Sequence, residues 1–290
     1  MDILWTVLFA VLLIGYFALE GANIGLGMLL PALGRTQEGR DRIVAAMAPF
    51  VLAGEVWLVA VAGTLFGVYP QAEGEVLFGL YPLVVCLLVS WIVRDAGLWF
   101  RRRADGPAWR AGWDRMICLG SWGLALSWGA ALTALATGLS ITPAALAGAA
   151  ALAALLAFHG RAFASWLLPG GAAGTVATGT TTVATGTTEA AGELSGAVLG
   201  GAAGRLPGPA AGAGRGAAAL AGTACLAAAP AAALLAGTAP WLLEHTAPAD
   251  TLNVLSLMIL PCAPLMAGAQ VWVWRTFGPR RAADRFPSFF

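Results

Sequence analysis

The sequence predicts an all-α, polytopic membrane protein with seven clear spans. Three observations carry this reading. The 290 residues are 59% hydrophobic and only 11% charged, against about 25% charged in an ordinary soluble domain. The apolar residues form continuous runs near the roughly 20 residues that a bilayer requires, not the alternation of a barrel strand. The basic residues cluster in alternate connections.

The runs lie at about 4–30, 47–68, 76–98, 116–138, 143–168, 217–240 and 252–275. Gly21, Gly25 and Gly27 predict a break in the first near Glu20–Gly27, or else a close helix contact there. The N-terminus lacks a basic leader region and its run is long, so it reads as a retained span and not a cleaved signal. Residues 1–138 are expected to form a four-helix transmembrane bundle, 139–169 the fifth span and 217–278 the C-terminal helices, with 279–290 as a cytoplasmic tail. Between them, 170–216 is a low-complexity Gly/Thr/Ala connection or weak helix. Its uncharged stretch 171–188 leaves room for an eighth span.

Arginine placement orients the spans. Arg35, Arg40 and Arg42 follow the first, and Arg94, Arg101, Arg102, Arg103, Arg110 and Arg115 follow the third. Arg161, Arg205 and Arg215 surround the fifth connection, and Arg275, Arg280, Arg281 and Arg285 lie at the end. Connections 69–75, 139–142 and 241–251 carry no Lys or Arg. The N-terminus is therefore expected outside and the C-terminus in the cytoplasm. A net charge of +1 argues against nucleic acid as a partner. Cys86, Cys118, Cys225 and Cys262 show no CxxC or Cys/His spacing, so they read as small buried helix residues and predict neither a metal nor a disulfide framework.

The chemistry concentrates in a few polar residues at membrane depth. A carboxylate there costs a few kcal/mol even on lenient insertion scales, which makes Glu20 and Glu55 functional candidates. Their bland alternatives are an acid reaching the interface and an acid favoured by a helix dipole. Arg94 and Asp95 can pair with each other or with an acid of a neighbouring helix, or Arg94 can serve as an anchor. Arg101–Arg103 reads as a cytoplasmic anchor. His159 reads as a hydrogen-bonded histidine between helices and not as a haem ligand, because its only possible partner, His245, falls on the opposite side. No catalytic set is present, and this points to a subunit of something larger.

Taken in order, these residues resemble subunit II of the cytochrome bd-type quinol oxidases. The segment GYFALEGANIGLGML at residues 15–29 is similar to the family's GYxxLDGFDLGVGML, and the segment from Pro49 to Pro70, with EVWL inside it, to its second-span pattern. Arg94, LWFRRR, Trp113–Asp114, Gly120–Ser121, His159–Gly160 and the aromatic, Arg-bearing end of the last span follow in the family's order. The resemblance covers residues 1–168 and 217–278. Asn23 stands where the family has a second acid, and Val51 and Leu52 stand where it has an aromatic-acid pair.

The resemblance implies a heterodimer in a bacterial inner membrane. The partner, subunit I, carries the haems and the quinol site, and oxygen is reduced with quinol as donor. This chain then binds no haem; it supports the partner and can hold a structural quinone. A small accessory subunit is compatible with the family, and lipid surrounds the whole. By the same resemblance Glu20, Asn23, Glu55 and Trp57 line a polar interior between the first two spans and carry a proton path, and Arg94 and Asp114 close the cytoplasmic end of the bundle. The alternative is a small-molecule or ion transporter without a haem partner, since such proteins also use intramembrane acids and Gly-interrupted spans.

Overall fold

The computed structural model describes residues 1–168 and 209–279, the side chains of 209–215 excepted. The stretch 171–188, where there is room for an eighth span, and most of the tail lie outside these residues. Ten helices make up the described part: α1 (Asp2–Met28), α2 (Leu30–Leu33), α3 (Gln37–Val68), α4 (Pro70–Gly79), α5 (Tyr81–Phe100), α6 (Pro107–Ala136), α7 (Pro143–Leu167), α8 (Pro209–Glu244), α9 (Ala249–Ile259) and α10 (Cys262–Phe277). Among the described residues there is no strand. Seven helical segments are long and apolar enough to cross a membrane, α9 and α10 counting together as one.

Several helices outrun the apolar runs. The second begins ten residues early, because Thr36 caps it by accepting a hydrogen bond from the Gly39 amide at 3.1 Å. Pro49 consequently sits inside α3 rather than at its start. The last run is divided at Leu260–Pro261, since proline cannot donate the helical hydrogen bond that would continue α9.

α1 is the axis of the molecule. It packs against α3, α6, α7 and α8, while α5 packs on α6 and α10 on α3. The four spans of 1–138 are thus not a closed set: α1 is shared with α7 and α8. The predicted break in α1 at Glu20–Gly27 does not occur, and the helix runs on to Met28. Its glycines serve contact instead. A Cβ on Gly25 would stand 1.8 Å from the Leu156 carbonyl oxygen, and one on Gly160 would stand 2.2 Å from the Gly25 carbonyl carbon. Two backbones touch there, as small residues permit in membranes. The cysteines also differ from expectation. Cys86, Cys225 and Cys262 are exposed and Cys118 is half-buried. A thiol is apolar enough to face lipid, so an apolar run does not separate core from lipid-facing positions.

Candidate functional site

Three spans bring their polar groups to one point. Arg94 of α5 is 1% exposed and points into the bundle. Its Nη1 donates to Glu20 Oε1 of α1, its Nη2 to Glu55 Oε1 of α3 at 2.9 Å, and its Nε to Asp95 Oδ1 at 3.1 Å. A planar guanidinium is suited to this, because its donors leave in fixed, divergent directions. Asn23, one turn beyond Glu20 on α1, donates from Nδ2 to Glu20 Oε2 at 2.8 Å. Both oxygens of Glu20 are therefore bonded, as a carboxylate that is 1% exposed requires. Trp91, one turn before Arg94, donates from Nε1 to Glu55 Oε1 at 3.3 Å. Asn23 Oδ1 is buried and finds no donor among the described residues.

Gly54 makes the cluster possible. A Cβ at that position would stand 2.1 Å from Glu20 Oε2. The missing side chain on α3 is the space that the α1 carboxylate fills.

Of the residues expected to line the polar interior, Glu20, Asn23 and Glu55 meet here. Trp57 does not join them. Its ring lies over Gly15 of α1, and its Nε1 donates to Gln270 Oε1 of α10 at 3.3 Å. Arg94 and Asp114 were expected together at the bundle end, and the structure separates them.

Asp114 of α6 belongs to a second polar cluster. Arg101 donates to Asp114 Oδ1 from Nε at 2.9 Å and from Nη2 at 2.7 Å. Arg101 Nη1 stands 2.8 Å from Asp41 Oδ1, and Arg40 Nε donates to Asp114 Oδ2 at 2.8 Å. Arg101 is fully buried, so of the Arg101–Arg103 run only Arg102 and Arg103 are exposed as an anchor would be. This cluster ties the ends of α3, α5 and α6. Arg101 caps the end of α5, seven residues beyond Arg94, about 10 Å of helix rise away.

His159 of α7 lies between α1 and α8. Its Nδ1 is 2.8 Å from Thr223 Oγ1, and its Nε2 is 3.1 Å from the Ala18 carbonyl oxygen. A carbonyl only accepts, so Nε2 carries the hydrogen and Nδ1 is the acceptor of a neutral ring, sharing the one Thr223 hydroxyl hydrogen with the Leu220 carbonyl oxygen 3.0 Å away; this tautomer is inferred from the bonding. His245 Nδ1 faces the Trp241 carbonyl oxygen at 2.7 Å, with its ring stacked on the indole. Both ring nitrogens of His159 are thus engaged within the bundle. Among the described residues no group of three or more His, Cys, Asp or Glu could hold a metal ion.

Sequence reasoning weighed Asp95 only as a partner for Arg94, and it missed Trp91, the space that Gly54 leaves for Glu20 and the burial of Arg101. A polar pair inside an apolar run and a Trp one turn away are signals that a helical projection could have used.

Comparison with known proteins agrees with this picture. The family described as cytochrome bd terminal oxidase subunit II matches residues 1–277. The chain is 36% identical over 118 residues to cytochrome bd ubiquinol oxidase subunit 2 of Bacillus subtilis (strain 168), which covers 41% of this chain and 35% of that protein. It is 33% identical over 118 residues to cytochrome bd-I ubiquinol oxidase subunit 2 of Escherichia coli (strain K12), covering 41% and 31%. It is 32% identical over 128 residues to the probable cytochrome oxidase subunit 2 of Haemophilus influenzae, covering 44% and 34%. The matched part of the chain spans about a third of the length of each of these curated relatives.

Proposed function

The chain belongs to the cytochrome bd terminal oxidase subunit II family, and from that membership we propose that it is the non-haem subunit of a bacterial inner-membrane quinol:oxygen oxidoreductase. The haems and the chemistry of oxygen reduction lie on a haem-bearing partner, subunit I. A structural quinone or a small accessory subunit would be held by the assembled complex. The N-terminus faces outward and the Arg-rich ends face the cytoplasm, a reading supported by the arginine asymmetry.

The observation that carries the reading is the Glu20–Arg94–Glu55 network, drawn from three spans at membrane depth. One guanidinium neutralises one carboxylate. Arg94 faces three carboxyl groups, so the cluster is electroneutral only with two protons or counter-ions aboard. This imbalance of charge supports reading the cluster as a store of protons. Asn23 bonds to Glu20 but cannot ionise, so it orients that carboxyl and does not carry a proton. Arg94 holds the acids together, and Glu20 and Glu55 are the groups that bind and release protons towards the partner.

The test compares two alanine variants in the membrane complex. Glu55→Ala removes an acid bonded to Arg94, whereas Glu73→Ala alters α4, outside the cluster. Glu55→Ala is expected to lower quinol-dependent oxygen uptake by about tenfold or more, and Glu73→Ala to leave it unchanged. Equal uptake in the two would overturn the reading. Purification in mild detergent supplies an independent check: haem bands that copurify with a larger membrane subunit support the oxidase, while a colourless lone chain favours a transporter.

A further inference from the structure

The cluster around Arg94 holds a third acid whose surroundings differ from those of the other two. Glu20 is sealed at 1% exposure, with α1, α3 and α5 around it. The Asp95 side chain is 23% exposed, scarcely more than that of Glu55 at 20%, and differs from it in what it faces. It lines an open groove of about 510 Å³ on α5, together with Trp91, Trp99, Phe100 and Arg103. Neither Glu20 nor Glu55 lines that groove. Trp91 stands in both places, as a wall of the groove and as a donor to Glu55. Asp95 and Glu55 are brought together by one guanidinium, Arg94 holding the first from Nε and the second from Nη2.

We propose that Asp95 is the outermost proton-carrying group of this cluster, taking protons from water in the α5 groove and passing them to Glu55. The inference rests on the proton-path reading above and extends it to the point of entry. A proton from water adds to the Asp95 carboxylate. The carboxylic acid then donates it to the Glu55 carboxylate, and Asp95 is left anionic against Arg94 Nε. No electron moves in this step. Arg103, exposed in the turn just past the end of α5, keeps the mouth of the groove polar at the Arg-rich end of the molecule. The aromatic rings between confine the polar path to one strip of α5. The charged groups around Asp95 are Glu20 from α1, Glu55 from α3, Arg94 from α5 and Arg103 from the turn that follows it. α6, the main neighbour of α5, carries no charge beyond Arg115.

The test uses the assembled two-subunit complex and reads oxygen uptake per haem across pH. Asp95→Asn keeps an acceptor for Arg94 and loses the proton site. It is expected to slow turnover by about tenfold or more and to displace the pH–rate profile. Asp95→Glu is expected to recover turnover to within about threefold of the parent protein. Wild-type turnover and profile in Asp95→Asn would overturn the proposal. Equal slowing in Asp95→Asn and Asp95→Glu with an unmoved profile would also overturn it, as a purely structural role predicts. If Asp95→Asn yields no haem complex, Asp95→Glu decides between near-parental turnover and the low turnover of Glu55→Gln. Glu55→Gln in the same series separates the two claims. If it is impaired while Asp95→Asn is not, only the entry point is wrong; if it too is unimpaired, the proton path itself fails.

Discussion

Replacing Arg94 with Gln is expected to abolish the stable complex. The side chain is 1% exposed and bonds acids from three helices. Removing one partner of a buried ion pair typically costs about 3–5 kcal/mol, because the remaining charge is stranded. Here Glu20, only 1% exposed, is the stranded group. Arg94→Lys should not rescue the loss. An ammonium on a flexible stem is a point charge and cannot reproduce the divergent planar donors of a guanidinium. The measurements are haem recovered per chain after detergent extraction and the thermal midpoint of the purified complex. A wild-type haem ratio and midpoint in Arg94→Gln would refute the idea that this residue holds α1, α3 and α5 together.

Gly25→Leu is expected to be nearly as damaging, for a steric reason. A single Cβ there stands 1.8 Å from the Leu156 carbonyl oxygen and 2.8 Å from the Gly160 nitrogen. Both neighbours are backbone, so neither can swing aside. α1 and α7 must separate, and the His159 bond to the Ala18 carbonyl, which spans the same two helices, is lost with them. Overpacking a fitted contact costs about 1–3 kcal/mol and more where backbone must move. Gly63→Ala is the matched control. Nothing lies within 4 Å of a Cβ at Gly63, and alanine favours an α-helix by about 1 kcal/mol over glycine. Thermal unfolding should show a large fall for Gly25→Leu and no loss for Gly63→Ala. Similar midpoints in the two would show that the α1–α7 contact is not a fixed one.

The spans were legible in the sequence because lipid exerts one strong demand, an unbroken apolar length, and the described residues meet it seven times. The helix starts were less so. That of α3 is set by the Thr36 cap, which lies outside the apolar run. The glycines of α1 were readable as a device but not as which device, since a kink and a backbone contact share one composition. Their use was decided by Leu156 and Gly160, more than 130 residues downstream. The acids of the site were legible from their cost at membrane depth. Their partner was not, because spacing along the chain does not say which helix faces which. Arg94 and Arg101 both looked like ends of spans, and each is buried against a different set of acids. Asp95 was legible as a neighbour of Arg94; its place on a groove depends on the outward rotation of α5.

The pairing of Glu20 with Arg94 also bears on how the chain is inserted. The two residues are 74 positions apart. At about 5–20 residues per second of synthesis, roughly 4–15 seconds pass between making one and making the other. During that interval α1 has an acid in its hydrophobic stretch and no cation to meet it. The nascent span must enter the bilayer with that acid neutral, or wait beside the translocation machinery until α5 arrives. Co-translational insertion of α1 should therefore be held back by α5, a dependence between two segments that the finished molecule conceals.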